Sequence, residues 1–181
     1  MRRHSGFTLI ELMVVIALIA VLSAVAVPSM QKMLKTNRVQ TEASSFVSDL
    51  MLARTEAVKR GQNVSVCVSS DGATCLGSNT WQSGWILFSD SAGACSGPTS
   101  PAVPIRVRKA FTGTDTMVAS LSSSSCVTFN REGFTSNLGT STVTFTLHTV
   151  DSLQTATRCV AVDLGGRLTT QTAGQASTAC S

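Results

Sequence analysis

Gly6-Phe7-Thr8-Leu9-Ile10-Glu11 opens a run that reaches Val27, in which only Thr8, Glu11 and Ser23 interrupt apolar side chains. From Phe7 to Val27 the run counts 21 residues. As a helix it is long enough to cross a hydrocarbon layer of about 30 Å. Arg2, Arg3 and His4 precede it, and the positive-inside rule keeps them cytoplasmic while the C-terminal bulk is exported. A secretory signal peptide also begins basic and turns apolar. This run exceeds an ordinary signal core, contains a carboxylate, and is followed only by a weak Ala24-x-Ala26 with Pro28 close behind. The segment therefore predicts a single-pass anchor.

Glu11 is the anomaly. An ionised carboxylate inside a bilayer is costly and demands a partner or a proton. Nothing cationic lies near it on its own helix. If the chain were cut before Phe7, the new α-amino group of a neighbouring copy or related subunit would supply the partner.

The remainder has a different character. The chain has 181 residues, 43% of them hydrophobic and 13% charged, which excludes a fully disordered, collagen-like or coiled-coil chain. The formal charge is +4, two units of it from Arg2 and Arg3, too small an excess to imply nucleic acid from bulk charge alone. Beyond Pro28, a kink position, Ala43, Phe46, Val47, Leu50, Ala53 and Ala57 recur at helical steps, with Lys32, Lys35, Arg38, Glu42, Asp49 and Glu56 expected mostly off that stripe. Lys59-Arg60-Gly61 ends the helix with cations at its negative pole and glycine beyond. A helix from Phe7 to Arg60 would be about 80 Å long.

After it the pattern turns to strands. Val64, Val66 and Val68 alternate with Ser65, Cys67 and Ser69. Further candidates are Gly84 to Ser89, Val103 to Phe111, Cys126 to Asn130, Thr142 to His148, Arg158 to Leu164 and Arg167 to Thr170. Asp71-Gly72, Ser96-Gly97-Pro98, Glu132-Gly133 and Gly165-Gly166 punctuate them, the last as a hairpin. One long helix followed by strands indicates an α+β head.

The Gly6–Glu11 string behind a short basic leader resembles the processing signal of type IV pilins and pseudopilins. The resemblance implies cleavage by a prepilin peptidase between Gly6 and Phe7, N-methylation of Phe7, and a role for Glu11 in docking subunits. The head resembles the GspH/FimT-like minor pilins through Ala53-Arg54-Thr55-Glu56-Ala57-Val58-Lys59-Arg60, the Val-x-Val-x-Val strand, Gly84-Trp85-Ile86-Leu87-Phe88-Ser89-Asp90, and Gly165-Gly166-Arg167. It implies the type IV pilin fold: a long transmembrane and amphipathic helix on a head with two small antiparallel sheets. The expected organisation is a leader (1–6), a membrane or filament-core helix (7–28), its amphipathic half (29–61) and a β head (62–181). Trp85 and Phe88 are expected as core, and Arg54 and Glu56 as groups that orient the helix end.

All six cysteines lie beyond the helix, as expected of disulfides formed in the periplasm. The expected pairs are Cys159–Cys180, which ties down a polar tail, Cys75–Cys95, which closes the loop bearing Trp81, and Cys67–Cys126 across two strands.

Three functions are weighed. As a minor pilin the chain would prime or cap pilus assembly near the filament tip, working with the inner-membrane assembly platform and with other major and minor pilins. It would pass from the inner membrane, head in the periplasm, into the pilus. As a DNA-binding minor pilin of natural transformation it would use Arg167, Arg106, Arg108 and Lys109 on phosphates. Here the string Gly166-Arg167-Leu168-Thr169 lacks the second arginine of the relatives' Gly-Arg-x-Arg motif. As a type II secretion pseudopilin it would share the leader and helix. No nucleophile motif, Walker loop, dinucleotide fingerprint or C-x-x-C is present, and His148 stands alone as an ordinary strand residue, so no enzyme, metal or cofactor is expected.

Overall fold

The computed structural model describes residues 7–98, 103–121, 124–139, 141–173 and 180. It comprises two compact units, Met1–Lys35 and Thr36–Ser181. Helix α1 (Leu9–Arg60) begins in the first and gives its C-terminal half to the second.

Capping sets both ends of α1. The Thr8 hydroxyl accepts the Glu11 N–H at 3.3 Å, the N-terminal half of a Thr-x-x-Glu capping box. The helix therefore starts at Leu9, two residues later than expected. At the other end Gly61 adopts φ 64°, Gln62 N–H reaches the Ala57 carbonyl and Gly61 N–H reaches Val58. That pair of bonds is a Schellman motif. Pro28 lies within the helix, which is continuous on both sides of it.

Among the described residues eight strands follow: β1 (Val64–Val68), β2 (Gly84–Ser89), β3 (Arg106–Lys109), β4 (Thr116–Ala119), β5 (Cys126–Phe129), β6 (Val143–His148), β7 (Arg158–Val162) and β8 (Leu168–Thr172). They form two antiparallel sheets, ordered β3-β2-β1-β5 and β4-β6-β7-β8. The head is the expected α+β arrangement. β4 departs from the expected strands, because four residues between Asp115 and Ser120 carry little periodic signal. Amide side chains finish two sheet edges: Asn137 accepts from Thr128 N–H and donates to the Cys126 carbonyl, and Asn79 does the same for both backbone groups of Ala119.

One core joins the helix to both sheets. Val39, Ala43, Phe46, Leu50, Ala53 and Ala57 meet Val64, Val66 and Val68 of one sheet and Met117, Phe145, Leu147 and Val160 of the other. Phe46 sits at its centre, edge-on to Trp81, Trp85 and Phe145 with ring centroids 4.8 to 5.3 Å away. Such contacts add about 0.5–1.5 kcal/mol each beyond area burial. Trp85 and Phe88 are buried, but Phe88 belongs to a second cluster on the outer face of the first sheet, with Cys67, Ile86 and Cys126.

That outer face corrects two disulfides. The bonds are Cys67–Cys75, Cys95–Cys126 and Cys159–Cys180. Neither Cys75–Cys95 nor Cys67–Cys126 forms. Cys67 and Cys126 are indeed register partners on β1 and β5. The neighbouring Val68 N–H bonds Ser125, so the cysteines occupy the narrow, non-hydrogen-bonded position with Cα atoms about 4.5 Å apart. Disulfides span about 4.4 to 6.8 Å between Cα atoms and are commonest at about 5.5 to 6 Å, so this position sits at the short end of the range. Each strand cysteine instead takes a loop cysteine lying over the sheet, at Cα separations of 5.6 and 6.2 Å. Trp81 is then not a loop residue. It is fully buried, and its indole N–H donates to the Ser124 carbonyl at 2.9 Å.

Candidate functional site

In the first unit every large apolar side chain from Leu9 to Leu34 is exposed, and Phe7 is 78% exposed. The helix is long and apolar enough to cross a membrane. A helix apolar on all sides, with no core of its own, needs lipid or other helices around it. Glu11 stands near its start with a backbone bond to Thr8 and, among the described residues, no cationic partner. Gly6, the residue expected before the cleavage point, lies outside the described residues.

In the second unit the basic strand behaves otherwise than expected. Asp49 is wholly buried on the helix face, not off it. Its carboxylate takes Arg108 Nε at 3.0 Å and Nη2 at 3.1 Å, Arg106 Nη1 at 3.2 Å, and the Trp85 indole N–H at 3.0 Å. Alternation does put Arg106 and Arg108 on one strand face, but both guanidiniums, partly exposed, are bonded to a buried anion. Two of the four candidate phosphate contacts are thus engaged internally. Lys109 is exposed on β3, and Arg167 is exposed in the β7–β8 connection of the other sheet.

Further along the same helix, Arg38 grips the nearly buried Asp115 through Nε to Oδ2 and Nη2 to Oδ1, the latter at 2.7 Å. Glu42 lies one turn on from Arg38. Burial, reinforced by the Asp115 charge and opposed by Arg38, pushes its carboxyl up to about 7. The spacing of Asp49 three residues after Phe46 was the available signal for its burial. Nothing local marked Asp115.

Gly165-Gly166-Arg167 also has a structural explanation. Arg54 Nη2 donates to the Gly165 carbonyl at 3.1 Å, and a Cβ on Gly166 would lie 2.2 Å from the Gly133 carbonyl oxygen. The glycines let the β7–β8 turn pack flat against the helix end. Glu56 holds Arg60 at 2.6 Å and Lys59 at 3.7 Å, and these cations keep its carboxyl below the usual range. His148 contacts the Thr157 hydroxyl at 3.4 Å. Among the described residues no group of three His, Cys, Asp or Glu could hold a metal.

An exposed apolar helix continuing into a disulfide-stapled head of two antiparallel sheets defines a pilin-type subunit. A family model described as type II transport protein GspH matches residues 42–166, and one described as prokaryotic N-terminal methylation motif matches residues 1–27. The chain belongs to this GspH family of minor pilins and pseudopilins. A fimbrial protein of Pseudomonas aeruginosa is 42% identical over 64 residues, 35% of this chain and 41% of that protein, so the chain spans about two-fifths of that relative. The fold is similar to that of the type IV minor pilin FimU of Pseudomonas aeruginosa, with TM-score 0.59 and 20% identity over 80% of this chain and 96% of that one. It is also similar to the minor pseudopilin EpsH of the type 2 secretion system of Vibrio cholerae, with TM-score 0.53 and 13% identity over 76% and 99%.

Proposed function

We propose that the chain is a minor type IV pilin that primes or caps pilus assembly and enters the filament at or near its tip. Its work is non-covalent. A prepilin peptidase cuts between Gly6 and Phe7, and methylation of the new amine at Phe7 follows. The apolar helix then leaves the inner membrane by exchanging lipid for neighbouring helices at the assembly platform. Glu11 selects the register by pairing with a neighbour's N-terminus, where low dielectric makes an unpaired charge expensive. The observation that carries this reading is one helix with an exposed apolar surface and an early carboxylate that has no cationic partner among the described residues.

Mass spectrometry of sheared filaments tests it directly, expecting the subunit with its N-terminus at a methylated Phe7. A chain beginning at Met1, confined to the inner membrane, would sink the proposal. Glu11→Ala is expected to leave the head folded and to abolish incorporation.

A pseudopilin of type II secretion is supported equally by the GspH family model and the EpsH-like fold. It differs in which assembly takes up the subunit, so deletion strains scored for pili and for secretion separate the two. DNA binding is disfavoured by the engagement of Arg106 and Arg108 with Asp49. Titration of the full chain in detergent with labelled duplex is expected to show no binding even at low salt.

A further inference from the structure

Among the described residues, Glu42 Oε2 is the buried side-chain oxygen or nitrogen that lacks a hydrogen-bond partner. A buried carboxyl oxygen left unpaired is costly, and satisfying it rewards any donor that arrives. Glu42 lines a groove of about 160 Å³ between α1 and the end of β3, walled by Thr41, Ser45, Trp85, Arg108, Lys109 and Phe111.

The helix side of the groove offers acceptors. The Thr41 hydroxyl gives its hydrogen to the Asn37 carbonyl at 2.8 Å, so Oγ1 has only lone pairs to offer. Ser45 adds a second hydroxyl. Trp85 and Phe111, edge to face with centroids 6.1 Å apart, line the groove with aromatic surface that favours a cation. The charged groups around Glu42 are Arg38 on its own helix, Asp115 from the segment before β4, and Arg108 and Lys109 on β3. Arg38 is committed to Asp115 and Arg108 to Asp49. Lys109 also lines the groove, but among the described residues no ion pair joins it to Glu42. Both arginines are therefore engaged by other acids, and the Asp115 charge adds to the field that draws a cation to Glu42. One carboxylate with two hydroxyls matches the three donors of an ammonium better than the flat fork of a guanidinium.

We propose that this groove is a socket for a lysine ammonium of an adjoining subunit. The source of the lysine rests on the filament reading above, whereas the chemistry of the socket does not.

The test has two arms. Tryptophan fluorescence of the full chain in detergent at pH 8 is followed during titration with n-butylammonium chloride, with n-butanol and sodium chloride as controls. A saturable response is expected at concentrations at least about tenfold below those n-butanol requires, as a charge-assisted contact predicts. The preference should vanish in Glu42→Gln, and Thr41→Val, which keeps the charge, should weaken it less. Equal responses to the amine and the alcohol, or an unchanged preference in Glu42→Gln, overturn the socket. In filaments, a carbodiimide activates the Glu42 carboxylate, a seated lysine amine displaces it as the urea, and an amide remains. A peptide joining Glu42 to a lysine of another chain is expected. Linkage to Lys109 of the same chain alone, or none, overturns the subunit source. Filaments lacking this chain altogether would defeat the pilin reading while the titration still decides the socket.

Discussion

Arg108 lays its guanidinium along both oxygens of Asp49, at 3.0 and 3.1 Å, and so ties the edge strand of one sheet to the buried face of the helix. Arg106 and the Trp85 indole complete the shell of the same carboxylate. The arrangement is asymmetric: Asp49 is fully buried, while the two arginine side chains are 46% and 36% exposed.

That asymmetry orders two variants. Removing the cations strands a buried anion, whereas neutralising the acid frees arginines that can turn to solvent. Arg106→Ala/Arg108→Ala is expected to lower stability by about 3 kcal/mol or more, and Asp49→Asn by distinctly less. Urea unfolding of the full chain in detergent, read by tryptophan fluorescence, checks the order. The reverse order would mean that the arginines act elsewhere.

Non-reducing digestion should release peptides joined as Cys67–Cys75, Cys95–Cys126 and Cys159–Cys180. Paired Cys→Ser replacements should destabilise in the order of loop length, for separations of 8, 21 and 31 residues. Loop entropy sets the scale at about 2.5, 3.3 and 3.7 kcal/mol.

Gly166 and Gly61 share a positive φ, 69° and 64°, yet differ in their surroundings. Gly61→Ala meets nothing within 4 Å and should cost about 1 kcal/mol from backbone strain alone. Gly166→Ala would also drive its Cβ into the Gly133 carbonyl, and should cost at least about 2 kcal/mol. Melting temperatures of the two variants decide it.

Glu42 predicts a pH dependence of opposite sign to that of an ordinary ion-paired acid. Its folded carboxyl titrates at about 7, above its ordinary 4.5. The folded state therefore holds the proton more tightly, and this contribution is complete below about pH 4.5 and lost as pH rises through about 7. Relative to Glu42→Gln, the wild-type melting temperature should fall between pH 5 and 8. Parallel curves for the two proteins would contradict it.

Apart from β4 and the bounds of β3, the strand positions were legible because Val64-x-Val66-x-Val68 and its successors alternate cleanly, and the helix end because Gly61 follows two cations. The helix stripe was legible except at Asp49, where a charge outweighed the i+3 spacing from Phe46 in the sequence reading. The Cys67–Cys126 expectation failed in a different way. The strands do place these residues opposite one another, but loop cysteines lying over the sheet take each sulfur.

What the sequence alone determined follows from short-range periodicity and chain chemistry: an apolar helix with a carboxylate at its start, its glycine stop, and a β head bearing six cysteines. What only the tertiary structure decided are the pairings that no local pattern specifies. Asp49 with Arg106 and Arg108, Arg38 with Asp115, Arg54 against Gly165, and the two disulfides over the first sheet all depend on which surfaces the core brings together. Burial converts an exposed-looking charge into a structural anion, and no local pattern encodes burial when the covering residues lie between 36 and 77 positions away.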